Sequence, residues 1–141
     1  MKTIYLLILA VLLSQCTSKK QAVVSMEETL DGNWQLVQLT DFATPLDSLN
    51  KIPTLKVSLT DSSYSGNSSC NNYRGSFILK EKSIHFKPAM MTKMFCADNY
   101  NMEPLFMQTL GKANTFQFKD SKLVLLYKET ELAVFNRIIA E

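Results

Sequence analysis

From Trp34 onward, apolar and polar residues alternate in short runs, and this period of two gives way to a helical spacing only once. Leu55, Val57 and Leu59 fall on one side while Lys56 and Ser58 fall on the other, the pattern of a half-buried strand. Strand-like runs recur at Tyr73 to Leu79, Ser83 to Lys87, Thr115 to Lys119, Leu123 to Lys128 and Leu132 to Ile138, and in mixed form at Trp34 to Leu39. Lys119 to Lys122 (KDSK) reads as a turn between two of them, and Asp41 to Pro53 as a polar loop broken by Pro45 and Pro53. His85 lies between Ile84 and Phe86, so it is expected to face away from the core. The exception is Asn101 to Gly111, where Met102, Phe106 and Leu110 recur every fourth residue beside Leu105. Asn101 is placed to cap that helix, Glu103 to complement its positive end, Pro104 to sit in its first turn and Gly111 to stop it. Most connections are too short for parallel crossovers, and a sheet of this kind needs cover for its apolar face. The expected fold is α+β, mostly β: a curled antiparallel sheet of about seven or eight strands, forming a partial or open barrel, with one helix packed against it.

The N-terminus has a separate character. Met1-Lys2-Thr3 leads into an apolar run from Ile4 to Leu13 and then Ser14-Gln15-Cys16, the layout of an export leader. The run is short of the roughly 20 residues that span a bilayer. Leu13-Ser14-Gln15-Cys16 also resembles a bacterial lipobox, with Gln15 standing where a smaller residue is usual. Three segments are therefore expected: a leader over 1–15, a lipidated Cys16 with a flexible tether over 16–29, and a single folded domain over 30–141. Acyl chains on Cys16 would anchor the protein at a membrane, and Thr17, in place of Asp, points to the outer membrane. Without lipidation the expectation is periplasmic. Fifteen basic residues against 13 acidic ones make no clustered basic excess, so nucleic acid is not expected as a partner.

With Cys16 assigned to lipid, Cys70 and Cys96 remain. In an oxidising compartment a disulfide is the default for such a pair, the alternative being two separate free thiols. Each cysteine sits in a distinctive stretch. Cys70 lies within Ser65-Gly66-Asn67-Ser68-Ser69-Cys70-Asn71-Asn72-Tyr73-Arg74-Gly75, and Cys96 ends Met91-Thr92-Lys93-Met94-Phe95-Cys96 ahead of Glu103. Ser65-Gly66 and Asn71-Asn72 are read as turn formers, because Gly and Asn tolerate positive φ.

Together with Gly32-Asn33-Trp34, these two stretches closely resemble the META domain family, typified by HslJ-like bacterial proteins, over about Leu30 to Ile138. The resemblance implies a small curled antiparallel sheet with a helix against it, and a disulfide between Cys70 and Cys96. The motif positions it carries over are Gly32, Trp34, Ser65, Gly66, Asn71, Asn72, Tyr73, Gly75, Thr92 and Met94. It implies roles in stress response or drug tolerance, but no catalytic residue and no cofactor.

Three sharper chemistries have candidate residues. Tyr73, Arg74 and the asparagines could bind an anion, yet no nucleophile–base pair accompanies them, so no enzyme is expected. Met90, Met91 and Met94 could offer thioethers to Cu(I), against the blander reading that methionine fills irregular gaps. Phe86, Phe106, Phe116 and Phe118 could line a cleft for an acyl chain, making the protein a lipid carrier, or could simply fill the core. The leading expectation is a non-enzymatic envelope lipoprotein that binds a protein or an apolar ligand.

Overall fold

A computed structural model describes residues 30–97 and 101–139. The expected leader, the expected lipidation site Cys16 and the expected tether lie outside these residues. Nine strands and one α-helix are present among them: β1 (Gly32–Leu39), β2 (Thr54–Ser58), β3 (Ser63–Asn67), β4 (Asn72–Lys80), β5 (Ser83–Phe86), β6 (Met90–Met91), α1 (Met102–Lys112), β7 (Thr115–Lys119), β8 (Lys122–Tyr127) and β9 (Thr130–Arg137). All pairings are antiparallel, in the order β3-β2-β1-β9-β8-β7-β5-β4-β6.

A further pairing of β3 with β4 closes the sheet into an irregular ring. The length of β4 makes this closure available. Its first half, from Asn72 to Ser76, pairs with β3, and its second half, from Phe77 to Lys80, pairs with β5. The seam is thin elsewhere, since β5 and β7 share only the Ser83–Thr115 register pair. The expected curled sheet with one helix is therefore correct in kind, but it has nine strands rather than seven or eight.

The interior follows from the alternation. Trp34, Leu36, Leu55, Val57, Phe77, Ile84, Leu123, Leu125 and Phe135 are all buried. Helix α1 adds Met102, Phe106 and Leu110 to the same core, and Phe106 packs on Tyr73 and Phe135 with ring centroids 5.9 and 6.2 Å apart. The mixed pattern of the first strand has a local cause. The β1–β9 register shifts between Leu36 and Gln38, a bulge that throws Val37 outward and lets Leu36 and Leu39 both face in. His85 is exposed, as its place between two buried neighbours requires.

Helix α1 departs from its expected ends. Gly111 lies within it, and the chain leaves at Ala113, whose N–H donates to the Thr109 carbonyl at 3.0 Å. Asn101 precedes it in a left-handed conformation (φ 62°), and its side chain makes no capping bond. The KDSK turn forms as expected, with Asp120 and Ser121 both at positive φ, the geometry that suits a two-residue hairpin.

Candidate functional site

The two cysteine-bearing stretches meet at one end of the ring, just before α1. The stretch from Ser65 to Gly75 is mostly strand, not turn. Gly66 and Gly75 lie on β3 and β4, and each faces a tyrosine across the ladder: Gly66 opposite Tyr73, and Gly75 opposite Tyr64. A methyl group on Gly66 would stand 2.0 Å from the Thr54 carbonyl oxygen and 2.7 Å from the Tyr73 hydroxyl; one on Gly75 would meet the Tyr64 ring at 2.5 Å. The glycines are there for close approach, allowing each aromatic ring to lie over bare backbone. Tyr73 Oη donates to the Thr54 carbonyl at 2.6 Å and Tyr64 Oη to the Lys87 carbonyl at 2.5 Å, so both buried phenols are satisfied. Burial pushes the Tyr73 phenol well above its ordinary range, and the neighbouring Tyr64 pushes it the same way.

The turn itself is at Ser68 to Asn71. Its positive-φ residue is Ser69 (φ 87°), not either asparagine. Asn67 supports it by accepting from the Ser69 N–H at 3.0 Å and donating to Asn72 Oδ1 at 3.0 Å. Cys70 then forms the disulfide with Cys96, as expected, across a Cα–Cα distance of 6.0 Å.

Asn71 is the non-covalent counterpart of that bond. Its Oδ1 accepts from Thr92 Oγ1 at 2.8 Å and from the Met94 N–H at 2.7 Å. Its Nδ2 donates to the Met94 carbonyl at 3.2 Å and to Glu103 Oε1 at 3.0 Å. All of the amide's hydrogen-bonding positions are thus taken internally. Glu103 is held in turn through Oε2, which receives Ser68 Oγ at 2.5 Å and the Asn71 N–H at 2.9 Å. Burial alone would raise the Glu103 pKa; the bonds from Ser68, the Asn71 side chain and the Asn71 N–H outweigh it and keep the carboxyl below its ordinary range. Thr92 completes the bracket, accepting from the Asn72 N–H at 3.1 Å.

Gly32 and Trp34 belong to another part of the ring. Gly32, at φ 135°, leaves space where a Cβ would lie 2.6 Å from Arg137 Nη1. That guanidinium stacks over the Trp34 ring at 4.3 Å and donates to the Asp31 carbonyl at 3.0 Å. Trp34 Nε1 donates to the Leu30 carbonyl at 3.0 Å.

The remaining candidates separate. Met90 is 78 % exposed while Met91 packs against the core, as successive strand positions must, so their thioethers face opposite ways. The Cys96 sulfur is already committed to Cys70. Phe86, Phe106 and Phe116 are buried, and Phe116 and Phe118 pack edge to face at 5.8 Å, so these rings pack as core contacts. Outside the bracket, Met94 and Phe95 are 58 % and 94 % exposed, on a loop pinned by both the disulfide and Asn71. Sequence reading missed Ser68, a buried hydroxyl whose only signal was a small polar residue between two motif positions, and Tyr64, which pairs with Gly75.

A small closed antiparallel ring, plugged by one helix and clamped at its rim by a disulfide and an asparagine hub, is the class of domain defined here. Residues 27–138 match the model of the META domain family, and the chain belongs to that family. Two solved structures share the fold. One is an NMR structure of a protein from Burkholderia xenovorans, 23 % identical with a TM-score of 0.66, the match covering 82 % of this chain and 88 % of that one. The other is a crystal structure of a DUF4847 family protein from Bacteroides vulgatus, 16 % identical with a TM-score of 0.57, covering 82 % and 99 %. No curated protein matches the chain.

Proposed function

We propose that this META domain protein is an exported, lipid-anchored module of the cell envelope that acts by binding, without catalysis, in envelope maintenance or drug tolerance. One observation carries the reading. The polar groups of Asn71 and Glu103 are taken up by bonds to one another, to Ser68 and Thr92 and to the motif backbone, while the apolar Met94 and Phe95 are presented outward on the loop those bonds fix. A rigid loop displaying an aromatic ring loses little conformational freedom when a partner covers it. The leader and Cys16 supply the address, and the near-balanced charge argues against nucleic acid as the partner.

The test is a deletion strain challenged with heat, antibiotics and detergents, complemented by the wild type, Cys16→Ser and Phe95→Ser. Phe95→Ser is expected to leave stability within about 0.5 kcal/mol, because the ring is exposed, yet to lose complementation. Full complementation by both variants would reject the anchored binding role.

A further inference from the structure

We propose that the outer edge of β6 takes up an extended segment of a partner protein as an additional strand, and that this segment carries acidic residues beside its apolar ones. The inference rests on the binding reading above and names the face and the chemistry of its partner.

Among the described residues β6 is the end of the sheet: β4 is its one strand neighbour, and β4 is occupied on its other side by β3. The phase of that pairing is set by the Thr92 N–H donating to the Asn72 carbonyl at 3.0 Å. Bonded and non-bonded pairs alternate in an antiparallel ladder, so Met91, opposite Tyr73, is the non-bonded position. Its N–H and C=O therefore face away from β4, as an unpaired edge does.

That edge opens onto space. A groove of about 580 Å³ runs between the β5–β6 connection and α1, lined by Tyr64, Phe86, Met91, Met107 and Gly111 among others. A second depression of about 430 Å³, with Lys93, Met94, Phe95 and Glu103 in its wall, also includes Met91. Met91, on β6, lines both. Main-chain pairing along an edge, with side-chain pockets to either side, is how sheets take up extended peptides.

The charge around this path selects the occupant. Lys87 lines the first groove and Lys93 the second, and neither is in an ion pair among the described residues. The carboxylate in the path, Glu103, is already tied to Ser68 and Asn71. A segment with Asp or Glu flanking apolar residues complements both lysines. Phe95 and Met94 stand in the wall of a depression, which suits a chain lying in it better than a flat bilayer.

The experiment selects displayed random linear peptides on the purified protein, then measures a synthetic peptide of the consensus by calorimetry and NMR. The expected consensus alternates apolar residues and includes Asp or Glu, and the Met91 amide becomes protected from exchange when it binds. Lys87→Glu with Lys93→Glu is expected to weaken that peptide on the order of tenfold or more. Met91→Pro removes the outward donor without touching the β4 ladder and is expected to abolish binding; should it misfold, the charge-reversed variant still decides. Failure to enrich any sequence, a basic or helical consensus, or indifference to the lysines would overturn the proposal. So would Phe95-dependent binding to phosphatidylglycerol vesicles in place of peptide, or self-association that covers the groove. Complementation by the charge-reversed variant is read separately. If it rescues the deletion strain, the face is wrong and the envelope role stands; if wild-type complementation needs neither Cys16 nor Phe95, the envelope reading fails on its own.

Discussion

Replacing Asn71 by Asp changes a single atom type at the hub of the motif, and its effect follows from the geometry. The two acceptor bonds at Oδ1, from Thr92 Oγ1 and the Met94 N–H, survive the substitution. The two donor bonds do not, and the lost donor faces Glu103 Oε1 at 3.0 Å. Losing a hydrogen bond to a charged acceptor costs about 1.5–3 kcal/mol. Two ionised carboxylates near 4 Å repel by about 4 kcal/mol at an effective dielectric of about 20, less here because Glu103 is partly solvated. A net destabilisation of about 3–5 kcal/mol at neutral pH is expected, a large part of the roughly 5–15 kcal/mol that holds a domain together. The assay is urea unfolding followed by fluorescence of Trp34, the single and fully buried tryptophan. The sign of the pH response is fixed as well. In the folded variant the facing carboxyls share a proton, so their pKa is raised, and the deficit shrinks in acid and grows as pH rises through it. Adding Glu103→Gln restores a donor across the gap and is expected to recover part of the loss. A deficit under about 1 kcal/mol, or one indifferent to pH and to the second substitution, would refute the hub.

Three other outcomes follow from the same structure. Cys70→Ser with Cys96→Ser opens a loop of sequence separation 26 and is expected to lower stability by about 3.5 kcal/mol, which denaturant titration with and without reductant checks. Gly66→Ala sets a methyl group 2.0 Å from the Thr54 carbonyl and is expected to cost about 1–3 kcal/mol or more, measured as a fall in Tm, because backbone cannot step aside as a side chain can. The lowered pKa of Glu103 means that its stabilisation is fully present above the ordinary carboxylate range and is lost as pH falls through the folded value; a Glu103→Gln variant should show a flatter acid limb in a Tm–pH series.

The parts of this fold that could be read from sequence are those whose side chains carry the burial signal themselves. Leu55 with Val57, and Met102 with Phe106 and Leu110, announce a strand and a helix because their own apolar faces make the core. β3 gives no such notice. Ser63, Ser65 and Gly66 have weak strand preference, and the segment is held by Tyr64 and by the tyrosine across from Gly66. Its partner supplies what its own residues lack. β6 is too short to show a period, and Gly111 looks like a stop although the helix continues past it. The disulfide is legible from the cysteine number and an expected oxidising compartment, but Asn71 reads locally as a turn former. Its role depends on Thr92, Met94 and Glu103 arriving from elsewhere in the chain, which no local pattern encodes.

The pairing of β1 with β9 brings Trp34 beside Arg137, and the Ile138 N–H donates to the Asn33 carbonyl at 2.8 Å. Entry and exit of the domain therefore share one doorway. A reporter fused after Ile139 would sit beside the first residues of β1, whereas splicing the whole ring into a surface loop of a host protein would demand almost no spacing between the joints. Force applied across those two joints would peel the first and last strands apart one hydrogen bond at a time, leaving the disulfide-clamped rim unloaded until the ring had already opened.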